Sequence, residues 1–279
     1  MNIHTALKNG LSTLQKNNIK SAELDSEILM SEAISRDKKY IILNSSKAIK
    51  KSELDYFKIL IQERVKKKPI AYLIKKKDFW KYEFTINSDV LIPRPDSEVL
   101  VEETLKLTKN RDNLQILEIG IGSGCILMSI LREKSNFIGT GVDISKESLQ
   151  ISRINSHKLR VNNRLKLFKS NIDNFRTGKY DLILSNPPYI KKYDLKCLEK
   201  DISFEPKKAL DGGYDGLSEI RKVIKKSSEL IKRKGYLVLE IGFNQKNKVK
   251  KILQSKGFYI KRVIKDLSNH ERCIVSFKI

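Results

Sequence analysis

The sequence has few of the residues that build disulfide frameworks and metal centres. Cysteine and histidine each occur three times in 279 residues, at scattered positions. They are Cys125, Cys197 and Cys273, and His4, His157 and His270. An odd number of dispersed cysteines fits neither a disulfide framework nor a zinc spacing, and the histidines form no metal set. We therefore expect no metal site, and we expect the chain to work in a reducing cytoplasm.

Long apolar runs are also absent from the sequence. No stretch approaches the roughly 20 consecutive apolar residues that a membrane-spanning helix requires. The first residues, Met1-Asn2-Ile3-His4, lack the pattern of a signal peptide. We therefore expect no membrane association and no signal peptide.

Acidic residues are strongly outnumbered by basic ones. The chain has 33 Asp plus Glu against 56 Lys plus Arg, which gives a net charge of +23. Such an excess is typical of proteins with an RNA-rich or otherwise anionic partner. It also arises in a lysine-biased proteome, and the lysines here are spread along the chain. The charge alone leaves both interpretations open.

Length and composition predict one large domain and one small one. The 279 residues are 40% hydrophobic and 32% charged, which is typical of a globular protein with a sizeable core. Residues 1–74 carry apolar stripes at helical spacing behind the candidate caps Ser21 and Ser52. The stripes are Leu24, Ile28, Leu29 and Ile34, then Leu54, Phe57, Ile61 and Val65. We predict a small helical bundle, and because it carries no candidate catalytic residue, we interpret it as a substrate-docking domain.

Residues 75–93 change to the alternation that is typical of strands. Polar neighbours separate the apolar positions Phe79, Tyr82, Phe84 and Ile86, and a turn signal follows at Asn87-Ser88-Asp89. We predict a β-hairpin that links the two domains. Beyond it, Asp96 or Ser97 is placed to cap a helix that runs to Leu107.

From residue 114 onward, short apolar runs alternate with helical segments, as in a doubly wound sheet. The predicted strands are Ile116–Ile119, Ile138–Val142, Leu165–Phe168, Leu182–Ser185, Tyr236–Ile241, Tyr259–Ile264 and Cys273–Phe277. Only the turn signal Ser268-Asn269 separates the last two, which predicts an antiparallel edge on a mostly parallel sheet. Residues 94–279 are therefore predicted to be an α/β domain with a seven-stranded Rossmann-like sheet.

A glycine-rich loop closes the first of these strands. Gly120, Gly122 and Gly124 follow Glu118, and glycines let a backbone turn tightly and approach a ligand. Asp143 ends the second strand, where a carboxylate can bind both hydroxyls of a ribose. The spacing is not the Gly-x-Gly-x-x-Gly of dinucleotide sites, and Glu118 would repel a phosphate. A cationic, phosphate-free nucleoside such as S-adenosylmethionine suits these residues better.

The fourth strand runs into Asn186-Pro187-Pro188-Tyr189. Two prolines cannot continue a strand, so they form a stiff loop that holds Asn186 and Tyr189 at the sheet's ligand-binding edge. The side-chain carbonyl of Asn186 and the backbone carbonyl of Pro187 can each accept one hydrogen of an NH2 group at about 3 Å. This orients the nitrogen lone pair and stabilises the charge that develops during attack. Tyr189 can stack on the planar group that is modified.

Several motifs along the chain resemble those of the release-factor glutamine methyltransferases, the PrmC or HemK family. They are Pro69-Ile70-Ala71-Tyr72, Asp78-Phe79-Trp80, Val90 to Glu98 with its Pro93-Arg94-Pro95, the glycine loop, Ser185 to Ile190, Phe204-Glu205-Pro206, Ala209 to Leu217 and Leu239-Glu240-Ile241-Gly242. The Asn-Pro-Pro-Tyr loop is shared with adenine methyltransferases, whereas the Pro-Arg-Pro and Gly-Gly-x-Asp-Gly-Leu segments are more particular to this family.

The resemblance implies a class I methyltransferase domain and methylation of the glutamine side chain in the Gly-Gly-Gln loop of peptide-chain release factors. It places the cofactor S-adenosylmethionine at the glycine loop, Asp143 and Asn186, and the target glutamine at Asn186, Pro187 and Tyr189. We add Pro188 to the substrate site. We expect a monomer that needs no nucleic acid.

Other positions and readings stay open at the level of sequence. Ser170-Asn171 stands where the family often has an acidic residue near the adenine, and we place Asn171 in the cofactor site. Arg94 is either part of a capped helix start or a substrate-binding residue. The alternative enzyme is an adenine methyltransferase acting on rRNA or DNA, and a third reading is an inactive RNA- or ribosome-binding module.

Overall fold

The computed structural model describes residues 1–266 and 268–279. The chain divides into two compact units. Unit 1 comprises residues 1–76 and 199–204, and unit 2 comprises residues 77–198 and 205–279. The short segment 199–204 thus belongs to unit 1 although its flanks belong to unit 2. Within the described ranges, no helix combines the length and the apolar character that crossing a membrane requires.

Unit 1 is helical, as the sequence predicts. Its helices are α1 (Ile3–Lys16), α2 (Ala22–Ile34), α3 (Lys38–Leu43), α4 (Lys51–Val65) and α5 (Ile70–Leu73). Leu24, predicted in the first apolar stripe, is 56% exposed, but the remaining apolar stripes meet in one core that includes Leu14, Leu29, Met30, Phe57 and Leu60. Because isolated helices of this length are marginal in water, this shared burial is what keeps them folded.

The predicted serine caps of this unit are not formed. The Ser21 hydroxyl donates to Asp25 Oδ2 at 2.9 Å and does not cap α2. Ser52 lies inside α4, which begins one residue earlier, at Lys51. There the Glu53 carboxylate reaches back and accepts from the backbone N–H of Lys50 at 3.0 Å. An acidic residue at the third helical position thus provides the N-terminal capping interaction that the sequence predicts for a serine.

A buried arginine ties together three parts of unit 1. Arg64 Nε lies 2.7 Å from Asp25 Oδ2, and its Nη1 lies 2.8 Å from Asp201 Oδ2. Nη1 also donates to the carbonyl of Lys68 at 3.2 Å. The Arg64 and Asp25 side chains are 9% and 5% exposed, so each charge depends on the other. Arg64 therefore anchors segment 199–204 to helices α2 and α4.

The predicted hairpin is confirmed and begins at the boundary between the units. It consists of β1 (Lys76–Phe79) and β2 (Tyr82–Thr85). Thr85 N donates to Asn155 Oδ1 at 2.7 Å, and Asn155 Nδ2 donates to Thr85 O at 2.9 Å. Phe79 and Phe84 pack edge to face, with ring centroids 6.3 Å apart. Through these contacts, residues 77–85 belong to unit 2. They do more than link the two domains.

The predicted α/β sheet is confirmed in unit 2. Its strands are β3 (Gln115–Ile119), β4 (Ile138–Asp143), β5 (Leu165–Lys169), β6 (Tyr180–Ser185), β7 (Ile231–Glu240), β8 (Phe258–Lys265) and β9 (Glu271–Lys278). The surrounding helices are α6 (Glu98–Leu107), α7 (Cys125–Glu133), α8 (Lys146–Lys158), α9 (Lys207–Leu210), α10 (Ser218–Leu230) and α11 (Lys246–Ser255). The strand order is 5-4-3-6-7-9-8. This is the sheet of a class I methyltransferase.

The predicted antiparallel pairing of the last two strands at the edge of a mostly parallel sheet is confirmed. β3 to β7 pair in parallel, and β9 pairs antiparallel to both β7 and β8. The single antiparallel strand is therefore β9, which lies one place inside the edge, and β8 forms the edge. β7 also starts at Ile231 instead of Tyr236, because its register against β6 shifts over this stretch.

The sheet is buried on both faces by the helices. Five side chains on the central strands are 0% exposed: Ile116, Leu117, Ile183, Leu184 and Leu237. This explains why the parallel strands appear in the sequence as continuous apolar runs. The strand order reverses between β3 and β6, and ligands of open α/β sheets bind at the carboxyl ends of strands at such a point.

Candidate functional site

A cavity of about 940 Å³ opens at this reversal point. It is lined by the segments that follow β3, β4, β5 and β6, together with residues 88–94 and 206–213. Among the predicted site residues, the lining includes Arg94, Glu118, Gly120, Gly122, Asp143, Asn171, Asn186, Pro187 and Pro188. The cavity is large enough for a nucleoside-sized ligand and part of a second molecule.

Two glycines present bare backbone to the cavity. Gly120 and Gly122 have φ angles of +75° and +55°, and a Cβ at either position would have no atom within 4 Å. The loop is fixed from behind, because Gly120 N donates to Val142 O at 2.8 Å and Ser152 Oγ donates to Gly122 O at 2.7 Å. This arrangement lets a ligand lie directly against the peptide groups.

The third glycine has a different role from the one predicted. Gly124 has a φ of +81°, and a Cβ there would lie 2.3 Å from Met128 Cε. It does not belong to the cavity lining. Gly124 therefore allows α7 to start close to the loop and pack, and it offers no surface to a ligand.

Asp143 stands at the end of β4 and organises the floor of the cavity. Its Oδ2 accepts from Gly122 N, and its Oδ1 accepts from Ser145 N, both at 2.9 Å. Burial raises the pKa of this carboxyl above its ordinary value, although these backbone donors oppose the shift. A carboxylate has about four acceptor positions, so each oxygen retains one for a hydroxyl group of a ligand.

Glu118 is a buried carboxyl group beside the glycine loop. It is 2% exposed, and its Oε2 accepts from Leu127 N at 3.1 Å. Burial raises its pKa to about 8, and the nearby Asp143 charge adds to the shift. A cationic group in the cavity would favour the ionised form. Together with the bare glycines and Asp143, Glu118 thus fits a cationic nucleoside such as S-adenosylmethionine.

Asn186 follows β6 directly, and its orientation is defined by two buried groups. Asn186 Nδ2 donates to Ser97 Oγ at 3.0 Å, and Ser97 Oγ donates to Glu240 Oε2 at 2.6 Å. The preceding Ser185 Oγ donates to Ile119 O at 2.8 Å and joins the two central strands. Within the described part of the chain, Asn186 Oδ1 and the Pro187 carbonyl accept no hydrogen bond. Both oxygens are available to a ligand.

Tyr189 lies elsewhere than predicted. Its side chain does not line the cavity, and the ring lies beside Gly242, where a Cβ would be 3.0 Å from Tyr189 Cδ2. Its hydroxyl donates to Glu240 Oε1 at 3.4 Å, and burial raises the pKa of this phenol well above its usual range. Gln245 Nε2 holds the Tyr189 carbonyl at 3.1 Å. The Tyr189 ring is therefore partly buried and packs against the hydrophobic core of unit 2.

The remaining predicted residues occupy the rim. Arg94 forms an ion pair with Glu205, whose Oε2 also accepts from Ile92 N at 3.1 Å. The Glu205 side chain is 1% exposed, so it holds Arg94 at the rim. Asn171 lines the cavity but uses its Oδ1 to accept from Asp173 N at 3.0 Å. Its amide nitrogen is the group that remains for a ligand.

Several residues that build this site were not among the predicted site residues. Ser97 was expected to cap α6, but its hydroxyl binds Glu240 and the helix begins without a side-chain cap. Glu205 and Glu240 support Arg94 and Asn186 from behind. All three lie inside motifs that resemble the family, namely Pro93 to Glu98, Phe204 to Pro206 and Leu239 to Gly242, and this was the available signal.

Two family models match the chain. The PrmC N-terminal domain matches residues 5–74, and the methyltransferase small domain matches residues 95–213. The first covers the helices of unit 1 up to the hairpin. The second covers the cavity from Pro95 to Gly213.

Curated relatives of two lengths are similar to this chain. A release factor glutamine methyltransferase from Buchnera aphidicola subsp. Acyrthosiphon pisum is 34% identical over 278 residues, covering 100% of this chain and 99% of the relative. One from Caulobacter vibrioides is 31% identical and covers 95% of this chain and 94% of the relative. A bifunctional methyltransferase from Rickettsia felis is 34% identical over 98% of this chain. The chain spans only 57% of that longer protein.

Solved structures share the fold. A methyltransferase from Pyrococcus furiosus superposes with a TM-score of 0.54 at 21% identity, over 70% of this chain and 88% of the other. A ribosomal protein L11 methylase from Lactobacillus delbrueckii subsp. bulgaricus gives 0.51 at 16% identity, over 72% and 89%. At these identities the likeness concerns the fold alone.

Proposed function

Because the chain belongs to the release factor glutamine methyltransferase family, we propose that it methylates the side-chain amide of the glutamine in the Gly-Gly-Gln motif of peptide-chain release factors. The observation that carries the proposal is the orientation of Asn186. Its Nδ2 is bound to Ser97. Its carbonyl oxygen therefore accepts no hydrogen bond from the described residues, and Asn186 and Pro187 both line the cavity.

The two acceptors suit a primary amide. An amide nitrogen is a weak nucleophile because its lone pair is delocalised. Asn186 Oδ1 and Pro187 O can each bind one of its two hydrogens, which fixes the direction of the lone pair. As the nitrogen becomes positive during attack, both hydrogens become more acidic and both hydrogen bonds strengthen. The stabilisation is thus larger in the transition state than in the bound substrate.

The glycine loop and the end of β4 form the proposed cofactor site. Asp143 would bind the ribose hydroxyls, and the backbone of Gly120 and Gly122 would contact the cofactor directly. Glu118 would face its positive charge, with Asn171 toward the adenine. When bound, S-adenosylmethionine supplies an electrophilic methyl group, and its transfer leaves a neutral thioether.

We assign no general base, because the nitrogen can lose its proton after the methyl group arrives. The phenol of Tyr189 is a poor base because burial keeps its pKa above the usual range, so the proton is held. The nitrogen becomes acidic only once the new N–C bond forms, and it then releases its proton to solvent. Methyl transfer before proton loss is consistent with the proposed role of the Asn186 and Pro187 carbonyls. They orient the nitrogen and stabilise its positive charge, and they do not remove its proton.

Residues 1–74 are proposed to dock the release factor, and the enzyme to act as a monomer in the cytoplasm without nucleic acid. The apolar side chains of Ile42 and Leu43 in α3 support this proposal, because they are 61% and 72% exposed. Adjacent exposed apolar residues are typical of contact surfaces. Contact remote from the glutamine would add binding energy without altering the reacting groups.

A radiolabelled methyl-transfer assay tests this function. Release factor, rRNA and DNA are offered side by side, with a release factor whose motif glutamine is replaced by alanine as the control. The proposal requires label in the unaltered release factor only. Label in rRNA or DNA instead would establish the adenine-directed alternative, and no turnover of any substrate would favour the binding-module reading.

A further inference from the structure

We propose that Ser97 and Glu240 are positioning residues that hold the side-chain carbonyl of Asn186 toward the target glutamine. The inference rests on the proposed function, because it assigns a purpose to one orientation of the Asn186 amide. Ser97 belongs to the cavity lining and Glu240 does not, and the hydrogen bonds of both lead to Asn186. They act through Asn186.

The direction of each hydrogen bond follows from the chemistry of the three groups. An ionised Glu240 has only acceptors, so the single Ser97 hydrogen goes to its Oε2 at 2.6 Å. Ser97 Oγ can then only accept from Asn186, which must present Nδ2 at 3.0 Å. The opposite amide orientation would place two oxygens with no hydrogen between them in contact. A single carboxylate thereby decides which side of Asn186 faces the cavity.

We call the two hydrogen bonds from Asn186 to Ser97 and from Ser97 to Glu240 the relay. Burial enforces their directions. Ser97 and Glu240 are each 2% exposed, so water does not compete for their hydrogen bonds. The three residues are held by separate rigid elements. Asn186 directly follows β6, Glu240 ends the adjacent β7, and Ser97 ends the short 3₁₀ turn Pro95–Ser97.

Glu240 also holds the other end of the Asn186–Tyr189 loop. Its Oε1 accepts from the Tyr189 hydroxyl at 3.4 Å, and Arg272 Nη1 lies 3.5 Å from the same hydroxyl. Arg272 is in turn fixed by Asp266, whose Oδ2 lies 2.9 Å from Nη2. One buried carboxylate is thus linked to both polar side chains of the loop, to Tyr189 directly and to Asn186 through Ser97.

The protonation state of Glu240 provides an independent readout. Burial raises its pKa to about 7, opposed by Ser97, Arg272 and Tyr189. The other ionisable groups that face it are Asp96, which raises its pKa, and the thiols of Cys125 and Cys273. A protonated Glu240 can donate to Ser97, and Ser97 can then donate to Asn186 Oδ1. The relay reverses, so kcat should fall as the pH decreases below about 7.

Stability should respond to pH in the opposite sense. The folded pKa of Glu240 lies above its ordinary value of 4.5, so the folded state retains a proton that the unfolded chain has lost. The contribution of this group to stability is therefore full below about 4.5 and declines as the pH rises through about 7. At low pH, kcat should therefore fall while the contribution of Glu240 to stability does not. This combination distinguishes reversal of the relay from partial unfolding.

The test compares Ser97→Ala, Ser97→Thr and Glu240→Gln with Glu103→Gln. Glu103 is a matched control, because it is also buried and ion-paired, to Lys106 and Arg262, but lies outside the cavity lining. We expect Ser97→Ala and Glu240→Gln to lower kcat about 10- to 100-fold, the typical cost of a misplaced reacting group. KM for the release factor and the affinity for S-adenosylmethionine should stay within twofold. Ser97→Thr should retain most of the wild-type kcat, because threonine keeps the hydroxyl group. In Glu240→Gln, the decrease of kcat below about pH 7 should be absent.

A second measurement does not depend on turnover. The side-chain NH2 signals of Asn186 can be identified in ¹⁵N NMR spectra by their loss in Asn186→Asp. They should shift in Ser97→Ala and Glu240→Gln and stay unchanged in Glu103→Gln. A kcat within twofold of wild type in both relay variants, or an equal loss in Glu103→Gln, would overturn the inference. If wild type methylates no glutamine, the proposed function fails, and the NMR shifts alone support or reject the relay.

Discussion

Replacement of Asp143 by asparagine should weaken cofactor binding and destabilise the glycine loop by separate amounts. In the structure, its two carboxylate oxygens accept from Gly122 N and Ser145 N, each at 2.9 Å. Asparagine keeps one of these acceptors and turns an NH2 group toward the other N–H. The same exchange removes one acceptor for the ribose. Asp143→Asn therefore removes one contact to the cofactor and one contact within the protein.

The magnitudes follow from these two losses. A hydrogen bond to a charged group contributes about 1.5–3 kcal/mol, so the Kd for S-adenosylmethionine should rise about 10- to 150-fold. The N–H that loses its acceptor should cost about 1–3 kcal/mol of unfolding free energy. Because burial raises the Asp143 pKa, cofactor affinity in wild type should also fall as acidic pH approaches that raised value.

Isothermal titration calorimetry measures the Kd, and urea unfolding without cofactor measures the stability. Asp215→Asn is the matched control, because Asp215 also accepts from a backbone N–H, that of Leu217 at 3.1 Å, but lies outside the cavity lining. It should lose stability and retain cofactor affinity. An unchanged Kd for Asp143→Asn would remove Asp143 from the cofactor site. An equal weakening by both variants would mean that affinity reports only on stability.

Three further outcomes are expected. Asn186→Ala should lower single-turnover methyl transfer about 10²- to 10³-fold without unfolding the protein, and near-normal transfer would refute its role. Ile42→Ser combined with Leu43→Ser should raise KM for intact release factor but not for a Gly-Gly-Gln peptide, and the exposed Ile154→Ser should change neither; equal effects on both substrates would contradict docking. Asp25→Ala should lower the unfolding free energy by about 3 kcal/mol, because it leaves the buried Arg64 charge without its nearest partner, and an unchanged urea midpoint would show that the pair is not stabilising.

Local patterns were enough to predict the sheet. A strand buried on both faces is apolar at most positions, so runs such as Leu182–Leu184 mark it without any knowledge of its neighbours. The order of strands was less accessible. Pairing of β9 between β7 and β8 is a choice among long-range contacts, and two adjacent apolar strands in sequence do not specify it.

Predictions about capping failed where a tertiary partner competed for the side chain. Ser97 precedes a helix and has the right chemistry for a cap, but its hydroxyl accepts from Asn186 and donates to the buried Glu240, and α6 begins without a side-chain cap. The prediction that Tyr189 faces the ligand also did not take a tertiary partner into account. Its hydroxyl instead found Glu240, and its ring packed beside Gly242.

The sequence by itself determined the chemistry that this protein can perform. The glycines, Asp143 and the Asn186-Pro187 loop are each defined within a few residues, because tight turns, strand ends and stiff loops depend on local backbone geometry. Only the tertiary structure decided how Asn186 is oriented. Ser97 and Glu240 lie 89 and 54 positions away along the chain, and no local rule relates residues so distant. Their relay exists because folding buries one carboxylate, one hydroxyl and one amide together, where each polar group must bind another.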